Sequence, residues 1–280
     1  MIDPYLYPGT SVLKNKLGIL EESRLETIEV DYVFMRLKEL KVAPLQGNYD
    51  FTHLCDIHKY IFQDLYDWAG EPRIIDTIRH EEVLKGGSVY YAKHGDIEKK
   101  AIAVIDGMKS EPWEALSFEQ QAEKFAKHFA ALWGVHPFRD GNTRAVTHFC
   151  CQYAAKNEIL IDKDMLADYS PYLRDCLVMA NKGSLDSLRL LVFSAMKRIE
   201  DRKLYNKKQD EGESQHQQSQ APSIYSGTPY NVDKQNMGGE SINNFSVFTP
   251  ETPQDQNITA TSPKQPPLGL LDRLRKNHDR

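Results

Sequence analysis

Nine consecutive residues carry most of the chemistry in this chain: His136-Pro137-Phe138-Arg139-Asp140-Gly141-Asn142-Thr143-Arg144. An imidazole, a carboxylate, a glycine, a carboxamide and a guanidinium lie within little more than two helical turns. His136 titrates near neutral pH and can accept a proton from an attacking hydroxyl. Asp140 is an oxygen ligand suited to Mg²⁺ bridging phosphates. Arg144 offers a planar, permanently charged fork for phosphate oxygens. Such a set fits in-line attack on a phosphate, with the leaving group's charge held by metal, arginine and backbone.

Two amphipathic segments must position these groups. Pro137 biases His136 away from helical backbone, so the helix over Phe118–Trp133 is expected to end before it. Gly141 permits a turn that a side chain would resist. Asn142 and Thr143 then open a new helix. Its first N–H groups have no intrahelical partner, and with the helix dipole they make an anion site around Gly141, Asn142, Thr143 and Arg144.

Apolar spacing of three and four predicts further helices. They cover Leu25–Leu40 after Ser23 as N-cap, Thr52–Trp68 stopped by Ala69-Gly70-Glu71-Pro72, Ile97–Met108, Ala145–Ala155, Met165–Met179 and Leu185–Ile199. The expected class is therefore all-α. One small β element is left, in Arg73–Lys93: Ile74-Ile75-Asp76-Thr77-Ile78 and Ser88-Val89-Tyr90-Tyr91 read as a hairpin or flap, with Gly86-Gly87 near the second run. A two-stranded hairpin is only marginally stable alone, so it must rest on the helices or be ordered by something bound at its edge.

Composition is ordinary for a folded domain, with 40% hydrophobic and 27% charged residues in 280. A net charge of −5 gives no basic field, so nucleic-acid binding is not expected. No apolar run approaches a membrane span and the N-terminus does not read as a signal peptide, which points to the cytoplasm and no membrane partner. Cys55, Cys150, Cys151 and Cys176 lack metal-binding spacing and read as buried reduced thiols. Composition changes near Tyr205. A folded domain over 1–205 is expected to precede a polar, disordered tail over 206–280, with a short basic end at Leu268–Arg280. The preferred reading of that end is a solvated tail. A secretion or docking signal, with delivery into another cell, is the sharper one.

The nine-residue stretch resembles the Fic signature H-x-F-x-[D/E]-G-N-G-R-x-x-R, matched by His136, Phe138, Asp140, Gly141, Asn142 and Arg144. Two flanking stretches extend the likeness over most of residues 5–200. Tyr7-Pro8-Gly9-Thr10-Ser11-Val12-Leu13-Lys14-Asn15-Lys16-Leu17-Gly18-Ile19 resembles the opening of many Fic proteins. The run from Ile57-His58 to Trp68-Ala69-Gly70-Glu71-Pro72-Arg73 is similar to the family's I-H-x-x-[IL]-F-x-D-x-Y-x-W-A-G-x-x-R. The resemblance implies a Fic-type helical core with a β-hairpin flap, and an Mg²⁺-dependent protein adenylyltransferase. This would transfer AMP from ATP to a Ser, Thr or Tyr hydroxyl of a target protein. It makes His136 the general base and Asp140 the Mg²⁺ ligand. Gly141, Asn142, Thr143 and Arg144 would surround the phosphates, and Phe138 would anchor the loop. Residues 73–93 would align the target by strand pairing.

Two positions depart from the signature. Thr143 replaces the second glycine, where its side chain either crowds the cradle or donates to it. Thr147 replaces the second arginine, which leaves weaker ATP orientation, another donor nucleotide, or a substitute cation such as Arg139 or Lys85. A Fic-type transferase using UTP, GTP or CDP-choline, and a binding module with little catalysis, are the alternative functions. No [S/T]-x-x-x-E-[G/N] string occurs in residues 1–30 or 183–205. Inhibition would then come from a separate small antitoxin-like protein or from other control. The remaining polar residues read as structural. Asp64, Tyr66, Asp67 and Trp68 pack or cap, and His53, His58, His94, His128 and His148 face solvent or are satisfied in the core. Arg73 anchors the flap root through an ion pair, with a substrate contact as the other reading. Arg79-His80-Glu81-Glu82 forms a solvated flap tip.

Overall fold

A computed structural model describes residues 3–218. Within them lie eight α-helices: α1 (Glu22–Val42), α2 (Phe51–Phe62), α3 (Ile97–Lys109), α4 (Phe118–Val135), α5 (Asn142–Lys156), α6 (Lys163–Asp168), α7 (Ser170–Asn181) and α8 (Asp186–Gln218). Two three-residue strands, β1 (Ile78–His80) and β2 (Ser88–Tyr90), pair antiparallel with Ile78 opposite Tyr90. The all-α expectation with a small hairpin describes this architecture.

The centre is the α4–loop–α5 unit. Ser117 caps α4 reciprocally: its hydroxyl accepts from the Gln120 amide, and its own N–H donates to the Gln120 side chain at 2.9 Å. Every third or fourth residue of α4 then turns inward. Ala122, Phe125, Ala126, Phe129, Leu132 and Trp133 are all essentially inaccessible. Full burial of each large apolar side chain is worth about 1.5–3 kcal/mol, which fixes α4 against its neighbours. α3 and α7 pack on α4, α2 packs on α5, and α1 lies on α2. The loop between α4 and α5 is thereby held from both ends.

Four boundaries differ from the sequence reading. α2 stops at Phe62 rather than Trp68. Leu65 and Tyr66 remain buried, but the Leu65 N–H tightens onto the Phe62 carbonyl, and the Leu65 carbonyl accepts from Lys16 of the N-terminal segment at 2.8 Å. α1 is capped by Glu21, with Ser23 inside the helix and no side-chain cap. The stretch Met165–Met179 divides into α6 and α7 at Tyr169, whose backbone leaves helical geometry just before Pro171 in the first turn of α7. α8 also continues past Tyr205 to Gln218. Lys, Gln and Glu in that stretch are good helix formers whatever they pack against. The remainder of the expected polar tail, from 219, lies outside the described residues. All four cysteines are free, and burial pushes the Cys55, Cys151 and Cys176 thiols up to about 12, as expected of unreactive structural thiols. No described helix is long and apolar enough to cross a membrane.

Candidate functional site

His136 closes α4 in left-handed backbone (φ 51°), and Gly141 (φ 75°) opens α5. Between them the loop is fastened by its own side chains. Asn142 reaches back so that its Oδ1 accepts from the Phe138 N–H at 2.9 Å and its Nδ2 donates to the Phe138 carbonyl at 2.8 Å. Phe138 is fully buried and stacks on His58 of α2, ring centres 3.8 Å apart. The His58 Nδ1 accepts from the Gly70 N–H at 2.9 Å, which leaves Nε2–H to donate to the Asp140 carbonyl at 3.0 Å. Its tautomer is thus set by its two backbone partners. A Cβ on Gly141 would stand 2.3 Å from the Phe62 ring, so only glycine fits.

Arg73 ties this loop to the flap. It is almost wholly buried, and its guanidinium donates to the carbonyls of His136 (2.9 Å), Ile75 (2.5 Å) and Ala92, while its backbone N–H donates to Pro137. The expected structural role holds, but through three carbonyls rather than an ion pair.

His136 sits under Tyr91, with the rings stacked 3.7 Å apart, and edge-on to Trp133. Neither ring nitrogen has a hydrogen-bond partner. Burial first, then the charges of Arg79, Arg73 and Arg174, hold its pKa well below the usual histidine value. The imidazole is therefore neutral at pH 7, with a free lone pair. Asp140 is shaped differently. Burial works to raise its carboxyl, but Arg79, the Gly141 N–H, Arg144 and Arg139 outweigh it and keep the group ionised. Its Oδ1 accepts from the Gly141 N–H at 2.5 Å, and its Oδ2 lies 3.4 Å from Arg79.

Arg144 is braced between α5 and α1. Its guanidinium lies 4.7 Å over the Phe62 ring and 2.7 Å from the Glu29 carboxylate, and the same carboxylate accepts from the Tyr66 hydroxyl. Thr143 does not project freely into the cradle, because its hydroxyl accepts from the Trp133 indole at 2.9 Å. Thr147 is one turn further along, with its hydroxyl buried and unpartnered.

A cavity of about 400 Å³ opens over these groups, lined by His136, Asp140, Gly141, Asn142, Thr143 and Arg144 on one side, and by Arg79, Ser170, Pro171 and Arg174 on the other. Every sequence-predicted site residue lies on its wall. Thr147 does not, and neither do Arg139, which pairs with Asp3 at 2.8 Å, and Lys85, which occupies a left-handed turn of the flap. The expected solvated flap tip is a correction. Strand alternation turns Arg79 inward to Asp140, and Glu81 is buried against Arg174 at 2.6 Å. Sequence spacing gave no sign of Glu29, Arg79 or Arg174, because each comes from a separate segment. His58 was present in a matched stretch, but its bond to Asp140 joins residues 82 apart.

Among the described residues no three or more His, Cys, Asp or Glu side chains gather as a metal cage. A single ionised carboxylate beside a cavity lined by three arginines suits Mg²⁺, which binds through one or two carboxylates and takes its other ligands from phosphate and water.

Comparison with known proteins agrees with this geometry. Residues 48–154 match the Fic/DOC family model. A probable protein adenylyltransferase Fic of Salmonella typhimurium is 32% identical over 153 residues, covering 54% of this chain and 72% of that one. The protein adenylyltransferase VbhT of Bartonella schoenbuchensis is 33% identical over 166 residues, which are 58% of this chain but only 33% of VbhT. Among solved structures, BepC of Bartonella tribocorum, with bound AMPPNP, superposes with a TM-score of 0.56 at 24% identity, over 68% of this chain and 95% of that one. The chain belongs to the Fic/DOC family, and its helical core with a two-stranded flap is the Fic fold.

Proposed function

We propose that this chain is a protein adenylyltransferase that moves AMP from ATP to a Ser, Thr or Tyr hydroxyl of a target protein. The observation that carries the reading is a neutral His136, with both ring nitrogens unpartnered, on the wall of a cavity shared with a helix N-terminus and three arginines. The adenylyltransferase names of the Salmonella and Bartonella relatives support the choice of reaction.

The hydroxyl oxygen attacks the α-phosphorus. A new O–P bond forms, the bond from that phosphorus to the bridging oxygen breaks, and pyrophosphate leaves. The hydroxyl proton passes to His136. Entry of a polyanion offsets the charges of Arg79 and Arg174 that depress His136, so substrate binding itself strengthens the base. The Gly141, Asn142 and Thr143 N–H groups and Arg144 hold phosphate oxygens. Asp140 would hold Mg²⁺, which would neutralise phosphate charge, and Arg79 must yield the carboxylate oxygen it faces. The flap aligns the target. Ile78 and Tyr90 share its outer face and are exposed, while Arg79 and Val89 face inward, so a target strand can pair at an open edge. Inhibition by a separate small protein is consistent with the lack of the inhibitory string in residues 1–30 and 183–205.

The test is incubation of the chain with Mg²⁺ and ATP in a lysate, followed by mass spectrometry of the modified proteins. The expected adduct is AMP on a hydroxyl side chain, absent with His136→Ala. A UMP, GMP or phosphocholine adduct would replace ATP as donor, and no His136-dependent adduct would leave a binding module.

A further inference from the structure

Arg174 is a charged residue on the cavity wall that the Fic signature does not contain. It belongs to α7, outside the residues matched by the family model. It lines the same cavity as His136 and Gly141–Arg144, facing the first turn of α5 together with Ser170 and Pro171. The opposite wall is short of cations. Arg144 is the one permanent positive charge on α5 that lines the cavity, it is shared with Glu29, and Thr147 brings none. A nucleoside triphosphate has about four negative charges, and Asp140 adds another until a metal covers it. Arg144, shared with Glu29, and Arg79, facing Asp140, do not by themselves balance that load in a partly enclosed site.

We propose, on the basis of the nucleotide reading above, that Arg174 is a phosphate-binding residue for the polyphosphate arm of the nucleotide. It is held by Glu81 of the flap until the nucleotide arrives. The partner it must leave is well defined: Glu81 is buried, and its Oε1 lies 2.6 Å from the Arg174 Nη2. Arg174 itself stays about one-third exposed (34%), with donors left over for phosphate oxygens. The exchange couples the flap to the nucleotide, because the same ion pair joins α7 to the segment just beyond β1. It also explains how a chain with threonine at 147 can keep a second phosphate cation: the charge comes from another helix.

Calorimetric titration of the full chain with Mg²⁺ and ATP, ADP or AMP tests this, using Arg174→Ala, Arg174→Lys and Glu81→Ala. Arg174→Ala is expected to weaken ATP about tenfold or more and AMP by less than about threefold, with Lys recovering part of the loss. Glu81→Ala breaks the same ion pair but keeps the cation, so ATP binding should hold or tighten. Equal loss in Arg174→Ala and Glu81→Ala would make the pair a structural tie and overturn the proposal. Unchanged ATP affinity in Arg174→Ala, or equal loss for ATP and AMP, would overturn it too. If Arg174→Ala does not fold by circular dichroism, Arg174→Gln takes its place with the same criteria. Failure of the unsubstituted chain to bind any of the three nucleotides would reject the nucleotide reading itself, which a loss confined to Arg174 variants does not.

Discussion

The two walls of the cavity are built on opposite principles. The base wall, from His136 to Asn142, is locked mainly by ring packing and by hydrogen bonds to backbone groups, including the one from the buried Arg73 to the His136 carbonyl. Asn142 clasps Phe138, His58 is bonded to the Gly70 and Asp140 backbone, Phe138 stacks on His58, and Tyr91 covers His136. The cation wall is held by ion pairs that a ligand can compete for: Arg79 with Asp140, Arg144 with Glu29, and Arg174 with Glu81. Packed hydrogen bonds to backbone groups keep a proton acceptor in one place. Each of these arginines is about one-third exposed, so a phosphate can reach it and compete with the carboxylate for its donors. Rigidity and exchange are thus separated onto different segments.

Acid should break the base wall first and with the largest effect. Burial lowers His58 to about 3 and His148 to about 4, and holds His136 well below 6.5. In the unfolded chain each histidine takes up a proton near pH 6.5, while in the folded chain each stays neutral. The unfolded state therefore binds more protons below that pH, and folding stability present above about 6.5 is lost as pH falls toward the folded values. Each contributes a slope of about 1.4 kcal/mol per pH unit, so the three approach about 4 kcal/mol per unit. Urea unfolding at pH 7.5, 6.5 and 5.5 reads this directly, and midpoints that do not move would show that the buried histidines are already hydrated.

Next in size is the loss of the base. His136→Ala should lower the transfer rate by on the order of 10³-fold while leaving ATP affinity within about threefold, because the phosphate contacts belong to the arginines and the first turn of α5 rather than to the imidazole. At ATP well below saturation the rate of the unsubstituted chain should also stay level as pH falls through 6.5, since the imidazole of the free chain remains neutral there. Parallel losses of rate and ATP affinity in the variant would mean that the two walls are not independent.

Gly141→Ala comes third. The added methyl meets Phe62 at 2.3 Å and His58 Nε2 at 3.2 Å in backbone with φ 75°. Overpacking and left-handed backbone together should cost roughly 2–4 kcal/mol in denaturant unfolding. A variant within about 0.5 kcal/mol of the parent would show that α2 and the loop can move apart, against the rigid reading.

The same contrast sets what was legible in the sequence. The chain path of the base wall lies inside nine residues and local rules located it: α4 ends before Pro137, Gly141 turns the chain, and Asn142 starts α5, whereas the His58, Arg73 and Tyr91 contacts that hold it come from distant segments. The cation wall is assembled from α1, the flap and α7, and nothing in the spacing of Glu29, Arg79 and Arg174 records that they meet. The flap shows the same limit at smaller scale. β-branched residues pointed to Ile74–Ile78, yet β1 begins at Ile78. The Ile74 N–H is taken by the Tyr5 hydroxyl and the Ile75 carbonyl by Arg73, so neither group is free for a ladder. Propensity located the hairpin, and long-range partners chose its register.

The smallest effect sharpens the comparison most, because it asks whether an ion pair on the cation wall orients its arginine or competes with the ligand. Glu29 binds Arg144 at 2.7 Å and also accepts from Tyr66, with only 16% of its side chain exposed. Glu29→Gln keeps an acceptor for Arg144 in the same place and removes the negative charge beside it. If the wall works by exchange, phosphate then meets less competition, and ATP should bind about two- to fivefold tighter, under about 1 kcal/mol. Glu29→Ala removes the acceptor as well. Arg144 would still lie over Phe62 but would lose its lateral hold, so ATP affinity should fall by a similar factor rather than rise. Opposite signs for Gln and Ala would separate the charge of Glu29 from its geometry. Loss in both would assign Glu29 to the rigid wall and place the boundary between the two walls beyond Arg144.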